Sequence, residues 1–248
     1  MEVSVMAADF LSEKPIPAAE RLMFAMDVPG PDQARALAEE LGESVQFYKL
    51  GLELFMGGGY WELVDWMVGQ GKKVFVDLKF FDVPATVAGA VGRLGGRGVT
   101  CCTVHGNDAM IQAACEARQD VKILAVTVLT SLDRGDLDSL GFQCDPRQLV
   151  LSRARRALEI GCDGVVSSGL EAPEIRSELG PKLLVVTPGI RPIENRPVDD
   201  QKRTVDVEQA FRGGADYIVV GRPIRNAPDP RAAAEAIQET IRGIFPAG

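Results

Sequence analysis

A single (β/α)8 barrel of the TIM type is the fold class this sequence predicts, and three observations predict it. The chain has 248 residues, and about 250 is the usual length of one such barrel. From residue 22 onward, short β-rich runs alternate with amphipathic helical stretches. The β-rich runs are nearly continuous in apolar residues, as expected where helices cover a closed parallel sheet. An open doubly wound sheet is the alternative for the same rhythm. Residues 21–248 are assigned to the barrel and residues 1–20 to a polar N-terminal extension, frayed at its start.

Leu22, Met23, Phe24, Ala25 and Met26 make the first strand, closed by Asp27 and a Val28-Pro29-Gly30 turn. Ala34, Leu37, Ala38 and Leu41 then recur at helical spacing, with Gly42 as the stop. Further strands are expected over 45–50, 73–78, 99–104, 123–128, 164–167, 183–187 and 217–220, which brings the total to eight. Helices are expected around 59–70, 84–94, 107–118, 147–160, 171–179 and 206–212. Gly57, Gly58 and Gly59 lack the spacing of a nucleotide-binding glycine loop and read as a helix-start turn. In the final helix, Ala233, Ala236, Ile237, Thr240, Ile241 and Ile244 are expected to share one face. Two connections are long, 131–145 and 189–204.

Composition narrows the function classes. Hydrophobic residues make up 46% and charged residues 25%, the balance of an ordinary globular protein. No apolar run reaches the 18 or so residues of a membrane span, and the first 20 residues lack the basic-then-apolar layout of a signal peptide. The five cysteines, at 101, 102, 115, 144 and 162, include no CxxC pair, so reduced thiols in a cytoplasm are expected. Cys101 and Cys102 read as strand packing. A formal charge of −8 argues against nucleic acid or an anionic membrane as partner. An anionic small molecule can still bind where cations gather locally.

Barrel ligands bind at the carboxyl ends of the strands. Strand side chains alternate faces, so Phe75, Asp77 and Lys79 should point into the mouth while Val76 and Leu78 face the helices. Lys49, at the end of the neighbouring strand, can reach the same region. Buried charges of this kind must pair, so a hydrogen-bonded array is expected, with a barrel-closing salt bridge as its bland alternative. At the end of strand eight, Gly221 allows close backbone approach and Arg222 can grip a phosphate through two hydrogen bonds. Arg191, in the loop after strand seven, adds a second cation. His105 is the only histidine; it cannot make a metal site alone and reads as a packed, hydrogen-bonded side chain.

The run Asp77-Leu78-Lys79-Phe80-Phe81-Asp82-Val83-Pro84 resembles the DxKxxD[IV]P signature of the orotidine 5′-monophosphate decarboxylase family. It occurs together with Lys49 in YKLG, with Leu129-Thr130-Ser131, with Pro188-Gly189-Ile190-Arg191 and with Gly221-Arg222, in family order over nearly the whole chain. The resemblance implies decarboxylation of orotidine 5′-monophosphate to UMP in pyrimidine biosynthesis, without metal or organic cofactor. It implies that Lys49, Asp77, Lys79 and Asp82 form an alternating charge array, with Lys79 as the proton donor to C6. It further implies a homodimer in which Asp82, with Val83 and Thr86, reaches the neighbouring site. Asp27 would bind the ribose, Thr130 the pyrimidine, and Gln201, Gly221 and Arg222 the phosphate, with Arg191 and its loop closing over it. Phe81 stands where the family commonly has histidine, and Ala85 where asparagine is usual.

Two other readings stay open. Related sugar-phosphate decarboxylases and hexulose-phosphate synthases share the DxKxxD pattern but bind Mg²⁺ through a glutamate near the end of strand two, where Lys49 stands here. A non-catalytic nucleotide-binding barrel is the other, since fold does not fix function.

Overall fold

The computed structural model describes residues 9–191 and 204–246. Eight parallel strands close into a barrel in sequence order: β1 (Leu22–Ala25), β2 (Phe47–Gly51), β3 (Lys73–Phe80), β4 (Cys101–Val104), β5 (Lys122–Val126), β6 (Gly164–Val166), β7 (Leu184–Thr187) and β8 (Tyr217–Val220). Closure comes from β1 pairing with β8, with Met23 opposite Val219, which excludes the open sheet. The outer layer comprises α1 (Pro31–Leu41), α2 (Leu52–Met56), α3 (Tyr60–Gly69), α4 (Pro84–Gly92), α5 (Asp108–Ala117), α6 (Arg134–Ser139), α7 (Pro146–Ile160), α8 (Ala172–Leu179), α9 (Val207–Arg212), α10 (Arg222–Arg225) and α11 (Pro230–Ile244).

Alternation along the strands divides the core in two. Met23, Ala25, Phe47, Phe75, Cys101, Leu124, Val186, Tyr217 and Val219 fill the barrel interior. Their neighbours, among them Leu22, Phe24, Tyr48, Leu50, Val74, Val76, Cys102 and Val104, face outward into the larger cluster beneath the helices. Burial on both faces is why these strands read as continuous apolar runs.

Two details depart from the sequence expectations, and a third bears one out. The connection 131–145 contains α6, started by a reciprocal capping pair in which Asp133 and Asp136 each accept the other's backbone N–H. Its composition reads as turn because the helix is short and polar. The buried face of α11 is Ala234, Ile237, Gln238 and Ile241, not the stripe through Ala233, Ala236 and Thr240. A polar residue sets that face, because Gln238 donates to the carbonyls of Ala19 and Ser44. The glycine run does start a helix, with Gly59 left-handed at φ 65° before α3. It also permits close approach, since a Cβ at Gly57 would lie 2.3 Å from the Pro29 carbonyl oxygen.

The chain before β1 is not a loose appendage from residue 9 onward. The Phe10 amide donates to the Arg212 carbonyl. Lys14 and Arg176 both grip Asp216, at 2.9 and 2.7 Å, and Ser12 donates to the same carboxylate. Arg21 donates to the carbonyls of Asp216 and Lys14 and lies over the Phe245 ring. Asp216 immediately precedes β8, so this network closes the amino end of the barrel, opposite the ligand-binding end.

Candidate active site

At the carboxyl end, a cavity of about 500 Å³ opens above the apolar interior. Asp27, Lys49, Asp77 and Lys79 line one side; Thr130, Arg191, Gly221 and Arg222 are also in the lining. Register explains the first group. Ala25 pairs with Lys49, and Lys49 with Phe75, so inward-facing positions on three adjacent strands converge.

The charges alternate. Lys49 Nζ lies 3.3 Å from an oxygen of Asp27 and 3.3 Å from Asp77 Oδ2. Lys79 Nζ lies 2.9 Å from Asp77 Oδ1. Burial works to raise the Asp77 carboxyl, but the two ammoniums, with hydrogen bonds from Lys79 and Thr103, outweigh it and hold the group below the usual carboxylate range. Burial likewise opposes the charged form of Lys49, yet Asp77 and Asp27 leave its ammonium harder to deprotonate than an exposed lysine. Asp77 and Lys49 at the centre of the array therefore each favour the charged form.

Lys79 has φ 50°, the one positive value among described non-glycine residues, a conformation that costs on the order of 1–3 kcal/mol. The β3–β4 ladder breaks at the same place. Val76 pairs with Cys102 and the next pair is Phe80 with Val104, so β3 carries two more residues than β4 across that interval. Thr103 occupies the gap. Its hydroxyl accepts from the Lys79 amide at 3.0 Å and donates to Asp77 Oδ1 at 2.8 Å. One fully buried side chain thus fixes both the unusual backbone of Lys79 and the orientation of the Asp77 carboxylate.

Sequence reasoning missed Thr103. Alternation places it on the inward face with Cys101, but only the register with β3 brings it beside Asp77. Arg225 was missed too. It lines the cavity three residues after Arg222 and donates to the Asp27 carbonyl, an RPIR spacing legible once that segment is helical.

The remaining expected residues fall into three groups. Gly221 leaves space that a side chain would fill, since its Cβ would stand 3.2 Å from that of Ala25. Arg191 is buried, and its amide donates to the Val205 carbonyl, tying the two ends of the long loop after β7. Gln201, in that loop, lies outside the described residues. Asp82, Val83 and Thr86 are exposed at the start of α4 and do not line the cavity of their own chain. Phe81 is also exposed and meets His105 edge to face at 5.5 Å. Burial, with Arg153 and Lys79 nearby, makes that imidazole harder to protonate than usual, so it serves as a packed neutral ring.

Residues 20–237 match the model of the orotidine 5′-phosphate decarboxylase / HUMPS family. The chain belongs to this family. It is 64% identical over 240 residues to an orotidine 5′-phosphate decarboxylase of Methylococcus capsulatus, covering 97% of this chain and 99% of that one. A decarboxylase of the same name from Xanthomonas euvesicatoria pv. vesicatoria is 54% identical, covering 95% and 98%. Among solved structures, orotidine 5′-phosphate decarboxylase from Lactobacillus acidophilus superposes with a TM-score of 0.79 at 34% identity, covering 92% of this chain and all of that one. The Pyrococcus horikoshii enzyme gives 0.72 at 27% identity, covering 90% and 99%.

Proposed function

We propose that the protein decarboxylates orotidine 5′-monophosphate to UMP and CO2, as a cytoplasmic enzyme of pyrimidine biosynthesis. The observation that carries this reading is the Asp27–Lys49–Asp77–Lys79 chain facing a cavity that also presents Arg191 and Arg222. It agrees with the names borne by relatives that match nearly end to end.

In this reading the arginines and Gly221 hold the 5′-phosphate, Asp27 the ribose and Thr130 the pyrimidine, while Gln201 and the loop carrying it complete the phosphate site. The C6–carboxylate bond breaks, CO2 leaves, and the electron pair remains on C6. The Lys79 ammonium stabilises that charge and delivers its proton to C6. Asp77, kept ionised by two lysines, stands against the substrate carboxylate and orients Lys79. Phosphate contacts far from C6 contribute binding energy that is expressed at the reacting carbon. No metal or organic cofactor is required. Lys49 places an ammonium between Asp27 and Asp77, and that charge opposes a divalent cation there.

We also infer a homodimer that shares its sites. Asp82, Val83 and Thr86 are exposed and do not line their own cavity, and Phe81, Val83, Phe55 and Met56 are exposed apolar side chains, a combination suited to insertion into a second copy. Mixing inactive Lys79→Ala and Asp82→Ala subunits would then regenerate sites with both native residues, whereas verified heterodimers without activity would exclude the sharing.

The test of the reaction is the ultraviolet absorbance decay of orotidine 5′-monophosphate in EDTA, beside Lys79→Ala. Rapid decay with wild type and almost none with the variant is expected. Activity that EDTA abolishes would point to a metal-dependent sugar-phosphate enzyme. Tight UMP binding without turnover would point to a non-catalytic nucleotide binder.

A further inference from the structure

Away from the mouth, two sulfurs meet across separate parts of the fold. Cys115 Sγ, in the last turn of α5, lies 3.4 Å from Cys162 Sγ, in the turn between α7 and β6. They are 47 residues apart in sequence, and a built frame holds them together. Arg118, three residues after Cys115, donates through Nη1 to the Gly161 carbonyl at 3.0 Å and to Asp163 Oδ2 at 2.7 Å. Those two partners flank Cys162. Asp163 is fixed in turn by the Ile123 amide at 2.8 Å, and the Cys162 amide donates to the Ala157 carbonyl at 2.9 Å. The sulfur contact is thus set by backbone and guanidinium bonds on both sides.

The two thiols also differ in the way an exchanging pair requires. Cys162 is buried, whereas Cys115 is half-buried and lines a recess of about 560 Å³ with Gln112, Arg118 and Arg156. The hydrogen-bonding contact with Cys162 and the nearby Arg118 favour the Cys115 thiolate despite its partial burial. The same hydrogen bond and burial keep the proton on Cys162. The other cysteines lack this arrangement: Cys101 and Cys102 are buried in β4, and burial raises both thiols.

We propose that Cys115 and Cys162 form a redox-active dithiol which a small-molecule disulfide oxidises to an intramolecular disulfide, stapling α5 to the turn before β6. The Cys115 thiolate attacks one sulfur of the oxidant, forms a mixed disulfide and expels one thiolate. Cys162 then attacks Cys115 Sγ, its proton passing to the departing second thiolate, and the protein disulfide closes. Two protein thiols are oxidised and one small disulfide is reduced to two thiols. Because Cys162 leads into β6 at the barrel's amino end, the staple forms opposite the cavity and leaves the charge array untouched.

The test treats the reduced full-length protein with oxidised glutathione, blocks remaining thiols, and maps the products by peptide mass spectrometry. Wild type should yield a Cys115–Cys162 cross-linked peptide, while Cys162→Ser should stop at a glutathione adduct on Cys115. Cys115→Ser should leave Cys162 unmodified. Closing this loop should raise Tm by roughly 5 °C, reversibly with dithiothreitol and without change in turnover. A glutathione adduct that persists on wild-type Cys115 would overturn the proposal. So would an unmodified Cys115 under conditions where half-buried Cys144 reacts.

Discussion

Replacing Thr103 by valine tests whether one buried hydroxyl organises the charge array. Valine keeps the shape and exchanges the hydroxyl for a methyl group. Two bonds disappear, the one given to Asp77 Oδ1 and the one accepted from the Lys79 amide. Thr103 has no exposed surface, so water does not replace them. A hydrogen bond to a charged group is worth about 1.5–3 kcal/mol, and a stranded buried amide costs about 1–3 kcal/mol. Taking about 3 kcal/mol as the combined loss, Tm should fall by roughly 6–12 °C in a chain of this length. The amide bond also holds Lys79 at φ 50°. Relaxation of that strained residue by about 1 Å at Nζ would lower kcat roughly 100-fold. KM for orotidine 5′-monophosphate should change little, because Thr103 is not among the cavity-lining residues. Steady-state absorbance decay separates the two constants. Thr103→Ser retains both bonds and should recover most of kcat. Wild-type kcat in Thr103→Val, or an equal loss in Thr103→Ser, would refute the positioning role.

Gly221→Ala places a methyl group 3.2 Å from the Ala25 Cβ and should raise KM about tenfold, equivalent to about 1.4 kcal/mol, with kcat nearly unchanged; the reverse pattern would remove Gly221 from binding. Asp216→Ala strips the buried partner from Lys14 and Arg176, a loss of about 3–5 kcal/mol that should lower Tm by roughly 10 °C while turnover per folded molecule persists. Asp77 has a depressed folded pKa, so its stabilising contribution is present above the unfolded value of about 3.9 and fades as pH falls through the folded one. The Tm difference between wild type and Asp77→Asn should therefore be constant near neutrality and shrink below about pH 4; a difference still growing at pH 3 would contradict the sign. Lys49, with a raised folded value, contributes fully below about pH 10.4 and loses that contribution as pH rises beyond it, so Lys49→Met should flatten the alkaline arm of the same profile.

The barrel was legible because its signals are local and repeated. Alternation correctly turned Phe75, Asp77 and Lys79 toward the cavity and Val76 and Leu78 away from it. What remained hidden depends on relations between strands. The broken β3–β4 ladder inserts residues at Asp77–Lys79, and nothing in the composition of either strand announces the shift. Thr103 acquires its role only from that register. Gln238 was passed over on α11 because a polar side chain reads as exposed, yet its two partners are carbonyls supplied by 3-10 turns more than 190 residues earlier in the chain. Asp82, Val83 and Thr86 stand exposed at the start of α4 and outside the cavity of their own chain, a placement that alternation along β3 does not reach because they lie beyond its end.

The two ends of the barrel divide the molecule's charge chemistry between them. At the amino end, Asp216 is fully buried and saturated by Lys14, Arg176, Ser12 and the Val185 amide. At the carboxyl end, Asp77 is paired as closely, but Lys79 keeps a third of its side-chain surface exposed and Asp27 nearly half. A saturated pair has no hydrogen-bonding capacity to offer a ligand, whereas a partly open one does. The pairing within each cluster is similar, so the difference in exposure separates a charge network that locks the fold from one that can act on a substrate. The strained backbone of Lys79 belongs to the second, and the bonds that support it come from the buried side, through Thr103. Adding a hydroxyl-to-methyl change there disturbs the acting network without touching the locking one. Asp216→Ala does the converse, so a double variant should show the kcat loss of one and the Tm losses of both, combining additively because the sites lie at opposite ends of the barrel.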